Sequence, residues 1–519
     1  MRLKKTVLFF LLTLSLLSVP SLTGYRAFVK AQNRTWTVGY DRPADFTSIQ
    51  EALNSYNVVP GDTILVYRGV YNESVKINKG VTLMGEDRDA TIINGDANSD
   101  FVISVEVSNA NVMNFTVMKQ VATAGDNGIR LVSSSIEVSH NNIIGIYDGI
   151  ILYSWGNNVI SDNVILGSND SGISLILSVG NRFTGNTISN SQKGIYLFSG
   201  SRSNKFTGNT ISNNQQGVSI SYSTSNTFYD NNFINNPIQA TTDGSPNVWS
   251  NFGEGNYWSD YKGSDLTKNG SINQSDGIGD QPRNIDSSNG DSAPLMGMFN
   301  SFNVVSAEKD YQITIVSNST ISDFTFEIGP ETGNKVIQFT ISGKDGTIGF
   351  SRVSVPTGLM NYSLLLVSGN EVVPTSFSGP IGSQVPQVYL YFAYPHTDQI
   401  VTIISSETWN LLQELSQSLG ALQDDLHGLN LTYLGLLSNY NAIMSNYSEL
   451  QQGYLELNAS YTDHLSEYND SLQNLRNLMY IFAGVSAVFI MTTVYLSSRL
   501  HGRKARTSEE KGTHFDLVS

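Results

Sequence analysis

The segment NRFTGNTISNSQKGIYLF at residues 181–198 is followed by NKFTGNTISNNQQGVSIS at residues 204–221, and this near repetition decides the fold of the first half of the chain. The motif NRFTGN recurs as NKFTGN and, more loosely, as NTFYDN at residues 226–231. In the same phase, a glycine followed by Ile or Val recurs at spacings of 21, 23, 22 and 23 residues, at Gly128, Gly149, Gly172, Gly194 and Gly217. Two markers in one phase indicate a repeat of about 22 residues.

A period of this length indicates one coil of a solenoid per repeat. The apolar runs alternate, as in Ile173-Leu175-Leu177, and they are too short and too β-branched for helices. Stacking the coils as parallel strands about 4.8 Å apart buries the apolar side chains of each coil against those of the next. We therefore expect a mainly β protein that begins with a right-handed parallel β-helix. The repeated asparagines at the turns are expected to form hydrogen-bonded ladders.

Upstream of the repeats, the segment DFTSIQEAL at residues 45–53 predicts a short amphipathic helix with Thr47 or Ser48 as its N-cap. Such a helix would cover the open end of the solenoid, where exposed strand edges otherwise invite aggregation. The segments at residues 61–77 and 80–85 are predicted to form the first strands.

Residues 32–300 resemble the NosD-like periplasmic copper-binding family of right-handed parallel β-helix proteins. The resemblance rests on GNYWSDY at 255–261, DGIGD at 276–280, Pro282, Ile285-Asp286 and Pro294-Leu295-Met296, with Arg283 where the family usually has a Tyr. The family name implies copper, which needs soft or imidazole ligands. His140 is the one histidine in this region and the chain has no cysteine, so the residues themselves favour calcium over copper.

Four carboxylates within 21 residues, Asp260, Asp265, Asp276 and Asp280, form the candidate calcium site. Gly277 and Gly279 permit the tight turn that an oxygen cage needs. The alternative is a cation-free loop held by Asx-turns.

Aligning the coils by their glycines places Asp148, Ser171 and Lys193 at one turn position in successive coils, with Asp170 beside Ser171. Asp148 and Asp170 are then expected about one coil apart, about 5 Å, with Lys193 one coil further. The trio Asp148, Asp170 and Lys193 resembles the acidic cluster and base of β-helix polysaccharide lyases, which implies proton abstraction next to a uronate carboxylate. The alternative interpretation is a set of solvated turn residues.

Aromatic and basic side chains on the flanks of the solenoid form a candidate carbohydrate-binding site. We expect Tyr147, Tyr153, Trp155 and Tyr222 to stack on sugar rings. Arg182 and Arg202 are predicted to fall in register and to hold a carboxylated sugar. Strand-packed core aromatics are the alternative.

The second half predicts three further units. Six strands between Phe302 and Ile404 favour an immunoglobulin-like β-sandwich over residues 301–405. Residues 407–477 carry Leu and Tyr at unbroken 3-4 spacing, which predicts a coiled-coil stalk of about 90 Å and a homo-oligomer. Gly420, Gly428, Gly435 and Gly453 weaken this helix.

The two ends predict the location of the chain. Residues 1–31 have a basic start and an apolar run typical of a signal peptide, with an uncleaved anchor as the alternative. Residues 478–498 predict one transmembrane helix, and the basic residues of the tail at 499–519 predict that this tail is cytoplasmic. Twelve Asn-X-Ser/Thr sequons all precede this tail and are compatible with a glycoprotein. The bulk of the chain is therefore expected outside a cell membrane.

Composition excludes some functions. The 519 residues include 14% charged residues and carry a net charge of −15, which excludes nucleic acid as a partner. The absence of cysteine excludes disulfides and thiolate metal sites. We expect a cell-surface protein of archaeal type whose head binds polysaccharide or surface-layer glycan, with calcium as a stabiliser. A surface-anchored polysaccharide lyase or glycoside hydrolase is the first alternative, and copper handling is the second.

Overall fold

The structure, a computed structural model, describes residues 33–153, 156–268, 271–272, 275–329, 334–360, 364–368, 371–372, 376–378, 387–405, 409–445, 460–473, 475–477, 479–480 and 483. The predicted signal peptide and cytoplasmic tail lie outside these residues, as does nearly all of the predicted membrane span. Among the described residues, no helix combines the length and the apolar character needed to span a bilayer.

The first half is a parallel β-helix in which each coil contributes one strand to each of three sheets. Sheet 1 contains the strands Thr35–Val38, Thr63–Val66, Thr82–Gly85, Asn111–Met113, Glu137–Ser139, Val159–Ser161, Arg182–Thr184, Lys205–Thr207 and Thr227–Tyr229. Sheet 2 contains Gly69–Asn72, Thr91–Asn94, Thr116–Met118, Asn142–Ile144, Val164–Leu166, Thr187–Ser189, Thr210–Ser212, Asn232–Ile234 and Tyr257–Trp258. Sheet 3 contains Val75–Ile77, Phe101–Val105, Asn127–Leu131, Asp148–Leu152, Ser171–Ile176, Lys193–Phe198, Gln216–Ser221 and Ile238–Thr242. The prediction of a mainly β protein built on a parallel β-helix is confirmed.

The repeated glycines mark the points where successive coils approach most closely. A Cβ atom built on Gly172 would lie 2.3 Å from Cγ2 of Ile188 and 2.8 Å from the carbonyl oxygen of Gly194. Because a real Cβ does not tolerate such contacts, only glycine fits at the start of this sheet 3 strand.

Inside the β-helix, aromatic side chains of successive coils stack on one another. The rings of Phe183, Phe206 and Phe228 are nearly parallel, with centroids 4.5 Å apart, and Trp249 extends the stack at 4.6 Å. All four side chains are buried, so this column forms part of a continuous apolar core.

Two asparagine ladders run along the corners of the tube, as predicted. In the first, each side-chain amide nitrogen donates to the Oδ1 of the asparagine one coil further on, at 2.9 to 3.0 Å, through Asn141, Asn163, Asn186, Asn209, Asn231 and Asn256. The second ladder runs through Asn158, Asn181, Asn204, Asn226 and Asn247. These residues are buried, and they satisfy backbone groups that the turns leave open.

The predicted N-terminal helix is present as α1, Ile49–Asn54, with Ser48 as its N-cap. Its buried residues are Ile49, Ala52 and Leu53, which join the core of the β-helix. Glu73 accepts hydrogen bonds from the backbone N–H groups of Ile49 and Gln50 and thereby satisfies the first turn.

After the β-helix come two short hairpins, Thr267–Lys268 with Ser271–Ile272 and Arg283–Asn284 with Gly290–Asp291. Two antiparallel sheets follow and share one hydrophobic core. Sheet 4 contains Met298–Ser306, Lys309–Ser317, Ile348–Pro356, Gln387–Pro395 and Ser376–Ser378, and sheet 5 contains Thr320–Ile328, Lys335–Ser342, Gln399–Ser405, Leu364–Ser368 and Glu371–Val372. The antiparallel sheets are confirmed, whereas the immunoglobulin-like arrangement of their strands stays a prediction.

The predicted stalk contains helix α2, Trp409–Ser445, and a second helical segment at residues 460–473. The rings of Tyr433 and Tyr461 stack with centroids 6.2 Å apart. One continuous helix would separate these two residues by about 42 Å. The two described helical segments therefore come together at Tyr433 and Tyr461, which differs from the single extended stalk that we expected. A coiled coil between chains stays a prediction.

Candidate functional site

The outer face of sheet 3 carries the residues that could meet a ligand. In strand Lys193–Phe198, the side chains of Ile195 and Leu197 point into the core, where both are fully buried. Because side chains alternate along a strand, Tyr196 and Phe198, which each follow one of these residues, point outward. Tyr153 directly follows Leu152, which pairs with Leu175, and Leu175 pairs with Leu197. Tyr153 therefore occupies the position that Phe198 fills two coils further on.

Four aromatic side chains on this face form what we call the aromatic strip: Tyr153, Tyr196, Phe198 and Tyr222. The Tyr196 and Phe198 rings lie 5.8 Å apart at an interplanar angle of 19°, and Phe198 meets Tyr222 edge-on at 6.4 Å. Tyr153 is 46% exposed and Tyr222 is 73% exposed. Apolar rings that remain open to water on a rigid sheet are suited to stacking on an extended ligand.

At the start of the same strands lies the carboxylate pair, Asp148 and Asp170. Asp148 is paired in register with Ser171, and Ser171 with Lys193, as the glycine alignment predicts. The backbone N–H of Ser171 donates to Asp148 Oδ1 at 3.2 Å, and its hydroxyl donates to Asp170 Oδ2 at 3.0 Å. Lys193 Nζ donates to Asp170 Oδ1 at 2.6 Å. The structure therefore brings all three predicted catalytic residues together.

The two carboxylates differ in their electrostatic environment. Asp148 is only 8% exposed, and burial followed by the negative charge of Asp170 raises the pKa of Asp148 to about 6. Asp170 forms an ion pair with Lys193. One member of the pair is thus poised to exchange a proton near neutral pH, while the other is held by a cation.

The aromatic strip and the carboxylate pair are continuous. Lys193 Nζ, which binds Asp170, lies 4.9 Å from the ring centroid of Tyr196. On the other side, the charge of Asp148 contributes to a raised pKa of the Tyr153 hydroxyl, after burial as the larger cause. One face therefore combines exposed rings with a cation and two carboxylates.

The predicted pairing of two arginines is wrong. Arg182 pairs with Lys205 in sheet 1, whereas Arg202 forms a bridge with Val179. Their separation of 20 residues is shorter than the repeat, so they occupy different positions in successive coils. Arg182 also belongs to a different sheet from Tyr153, and the structure does not join the two in one site. Trp155 lies outside the described residues.

The four predicted calcium ligands have other partners in the fold. Asp260 pairs with Arg283 at 2.9 Å. Asp265 accepts hydrogen bonds from the backbone N–H groups of Asp276 and Gly277, and Asp280 accepts one from Leu266. Burial, followed by the charges of Asp276 and Asp280, raises the pKa of Asp265 to about 6, against these backbone hydrogen bonds. Across the part of the chain that the structure describes, no group of three or more His, Cys, Asp or Glu side chains could hold a metal ion.

The segment that carries the family resemblance closes the end of the β-helix. Asp291 Oδ2 accepts hydrogen bonds from the backbone N–H of Asn256, the last asparagine of the first ladder, and from the indole N–H of Trp258. Asn289 ends the second ladder in the same way. The guanidinium carbon of Arg283 lies 4.6 Å from the ring centroid of Trp258 and thereby packs on this closing segment.

Two members of the aromatic strip, Tyr196 and Phe198, were missed at the sequence level. A signal for them exists in the alternation of strand Lys193–Phe198. Once Ile195 and Leu197 are assigned to the core, the residues between and after them must face solvent.

Comparison with known proteins supports the fold. Residues 55–263 match the family model described as periplasmic copper-binding protein (NosD). A search of curated proteins found no match.

Solved structures with a similar fold include pectin methylesterase from Aspergillus niger, at 17% identity over 41% of this chain and 82% of that chain, with a TM-score of 0.29. The tailspike protein gp49 of Acinetobacter baumannii bacteriophage Fri1, a capsular polysaccharide depolymerase, is 12% identical over 72% of this chain and 84% of that chain, with a TM-score of 0.27. Tailspike protein 2 of Escherichia coli O157:H7 bacteriophage CAB120 is 12% identical over 72% of this chain and 67% of that chain, with a TM-score of 0.30. These scores are too low to transfer any activity to this chain.

The family match and the three parallel sheets lead to the same assignment. The amino-terminal half of this chain is a NosD-like right-handed parallel β-helix.

Proposed function

We propose that the β-helix binds an extended polysaccharide along the outer face of sheet 3. The observation that carries this proposal is the aromatic strip, in which the rings of Tyr196, Phe198 and Tyr222 follow one another at 5.8 and 6.4 Å. Sugar rings present apolar faces that stack on such side chains. Lys193 and the carboxylate pair supply the polar contacts that orient a ligand on an apolar surface.

The experiment compares variants of the strip by affinity electrophoresis through gels that contain neutral or uronate polysaccharides. Tyr196→Ser removes one ring, and Tyr222→Asn removes another while tolerating the left-handed backbone of this residue, whose φ is 52°. The double variant is expected to bind about tenfold more weakly than the parent or worse. Tyr56→Ala is the matched control, because Tyr56 is 88% exposed next to α1, at the end of the β-helix remote from the aromatic strip. Equal retardation of the double variant and the parent would contradict the proposal.

A second candidate function is polysaccharide cleavage by Asp148, Asp170 and Lys193. The specific observation in its favour is the carboxyl of Asp148, whose pKa of about 6 suits a group that both accepts and returns a proton. In a lyase reaction, one of these groups would accept the proton next to a uronate carboxylate as the glycosidic C–O bond breaks and an unsaturated end forms.

Incubation of the protein with uronate polymers tests this candidate through the absorbance of unsaturated ends or through new reducing ends. The variant Asp148→Asn is expected to abolish either signal, while Asp96→Asn, at an exposed position, keeps it. Binding without any cleavage would leave the first candidate and remove the second.

The remaining expectations are proposals about location and cofactors. We infer a single-pass surface protein from residues 1–31 and 478–498, with residues 407–477 associating between chains. Calcium is the proposed stabiliser around Asp265 and Asp276, and copper handling is the alternative that the family name suggests. Isothermal titration with each ion distinguishes the two, because tight copper binding without a calcium response would overturn the calcium assignment.

A further inference from the structure

The β-helix and sheet 4 meet at a junction that lies apart from the proposed polysaccharide-binding face. Phe299 donates its backbone N–H to Asn232 Oδ1 at 2.7 Å, and its carbonyl accepts from Asn232 Nδ2 at 2.8 Å. A small apolar cluster of Leu295, Phe299 and Val316 is buried there. The two parts are thus joined by hydrogen bonds and by packed side chains.

Beside this apolar cluster lies a polar cluster with members on both sides of the junction. Asp230 and Glu254 belong to the last turns of the β-helix, and Arg352 and Tyr389 belong to sheet 4. Arg352 binds Glu254 Oε1 at 2.7 Å, and its guanidinium carbon lies 4.4 Å over the Tyr389 ring. The side chains of Arg352 and Glu254 are only 11% and 18% exposed.

Asp230 occupies a special turn position. In the two preceding coils the same position holds Gly185 and Gly208, each joined by a backbone hydrogen bond to the next coil. Asp230 continues this series with φ of 59° and thereby places a carboxyl beside the junction, where Gly185 and Gly208 carry no side chain. Its Oδ1 is buried and accepts no hydrogen bond.

The charges of this cluster do not balance when every group is ionised. Two carboxylates share one nearby guanidinium, and that guanidinium is already bound to Glu254. Burial, and then the charge of Glu254, raise the pKa of Asp230 well above its ordinary value. A buried carboxylate with an unpartnered oxygen is costly, whereas a protonated carboxyl can donate to a neighbouring carboxylate.

We propose that Asp230 keeps its proton in the closed junction, donates it in a hydrogen bond to the Glu254 carboxylate, and loosens the contact between the β-helix and sheet 4 when the proton is lost. The charged and titratable groups that face this cluster lie on the β-helix, on the following loop and on sheet 4, and they are Lys205, Glu254, Asp276, Arg352 and Tyr389. Lys205 and Arg352 favour the ionised form of Asp230, but burial and Glu254 outweigh them.

The direction of the pH effect follows from linkage. In an open junction Asp230 loses its proton near its ordinary pKa of about 4, whereas in the closed junction it keeps the proton to a higher pH. The closed state is therefore most favoured below about pH 4 and weakens as the pH rises to the raised pKa of Asp230. Above that pKa, both states are ionised and no further weakening occurs.

Spin-label distances across the junction test this proposal in the full-length chain. Because the chain has no cysteine, Gln215→Cys and Lys344→Cys introduce the two labels at exposed sites, one on each side of the junction. We expect a narrow distance distribution at about pH 4.5 that broadens or lengthens by about pH 9. Asp230→Asn keeps a neutral donor at the same place and is expected to hold the narrow distribution throughout.

A second variant keeps the test decisive if Asp230→Asn fails to fold. Glu254→Gln removes the charge that opposes ionisation of Asp230 and frees Arg352 to pair with Asp230. The spin-label distance distribution of this variant should therefore broaden less with pH than that of the parent. Asp41→Asn, at an exposed site far from the junction, should follow the parent curve. The proposal is overturned if the parent distribution is independent of pH, or if Asp230→Asn or Glu254→Gln follows the parent curve.

Discussion

Asn186 donates a hydrogen bond through its side-chain amide to Oδ1 of Asn209 at 2.9 Å, although 23 residues separate them in the sequence. Both side chains are fully buried. The Oδ1 of Asn209 also accepts the backbone N–H of Asn186, at 3.0 Å, and its amide donates to the carbonyl of Phe183. One asparagine thus satisfies backbone groups in the preceding coil, which explains why the same residue type recurs at this corner.

Removing one rung of the ladder should destabilise the β-helix. Asn209→Ala removes the acceptor of the backbone N–H of Asn186 and the amide donor to the carbonyl of Phe183, both in a buried place. We expect a loss of about 3 kcal/mol or more in the free energy of unfolding, because each unsatisfied buried group costs about 1–3 kcal/mol. Urea unfolding measures this loss. Gln215→Ala is the control at an exposed position and should change the free energy by less than about 0.5 kcal/mol.

Replacing either of two glycines by alanine should change stability, in opposite directions at the two positions. Gly172→Ala forces a Cβ against Ile188 and the Gly194 carbonyl, so we expect a loss of about 2 kcal/mol or more. Gly420→Ala meets nothing within 4 Å in helix α2 and should stabilise that helix by about 1 kcal/mol. Thermal unfolding followed by circular dichroism compares the two variants. A Gly172→Ala chain as stable as the parent would argue against the close packing of the coils.

Asp148 should make the β-helix less stable as the pH rises. Its pKa in the fold is about 6 against an ordinary value of 3.8, so the folded state binds the proton more tightly than the unfolded chain. This tighter proton binding adds its full amount to the free energy of unfolding below about pH 4, and the added stability is lost as the pH rises through about 6. Relative to the parent, the free energy of unfolding of Asp148→Asn should rise by up to about 3 kcal/mol over this pH range. Urea unfolding at several pH values measures this difference.

Asp243 offers a control with the opposite sign. Its pKa is lowered, first by a hydrogen bond from the backbone N–H of Tyr222, so its contribution is present above about pH 4 and is lost on acidification. The free energy of unfolding of Asp243→Asn should therefore decrease relative to that of the parent as the pH rises. If both variants change in the same direction with pH, the environment assigned to Asp148 is wrong.

Most of the fold of the first half could be predicted, because the repeat determines both the strand register and the positions of the asparagine ladders. Glycine spacing gave the register of Asp148, Ser171 and Lys193, and the asparagine spacing gave the ladders. The first strand, Thr35–Val38, lies outside the repeat and was missed because it has no glycine or asparagine marker. Arg182 and Arg202 lie out of register because only 20 residues separate them, which is less than one repeat.

Features that depend on contacts between distant segments could not be predicted from the sequence. The hydrogen bonds between Asn232 and Phe299 join residues that are 67 positions apart, and no pattern marks either residue. The same holds for Glu254 and Arg352. In the sheet pair, strand Ile348–Pro356 was missed because Gly349 and Ser351 occupy two of its inward positions and leave its apolar alternation incomplete. Heptad spacing predicts a helix, but it does not determine whether that helix pairs with another chain or with its own neighbour.

The central claim is that polysaccharide lies on the aromatic strip, and hydroxyl-radical footprinting in the presence of a bound polysaccharide tests it most directly. We expect oxidation of the aromatic strip to fall severalfold on binding, at Tyr153, Tyr196, Phe198 and Tyr222. Oxidation of Tyr40 and Tyr56, which are exposed at the other end of the β-helix, should not change. Protection of Tyr40 and Tyr56 with the strip still fully oxidised would contradict the claim.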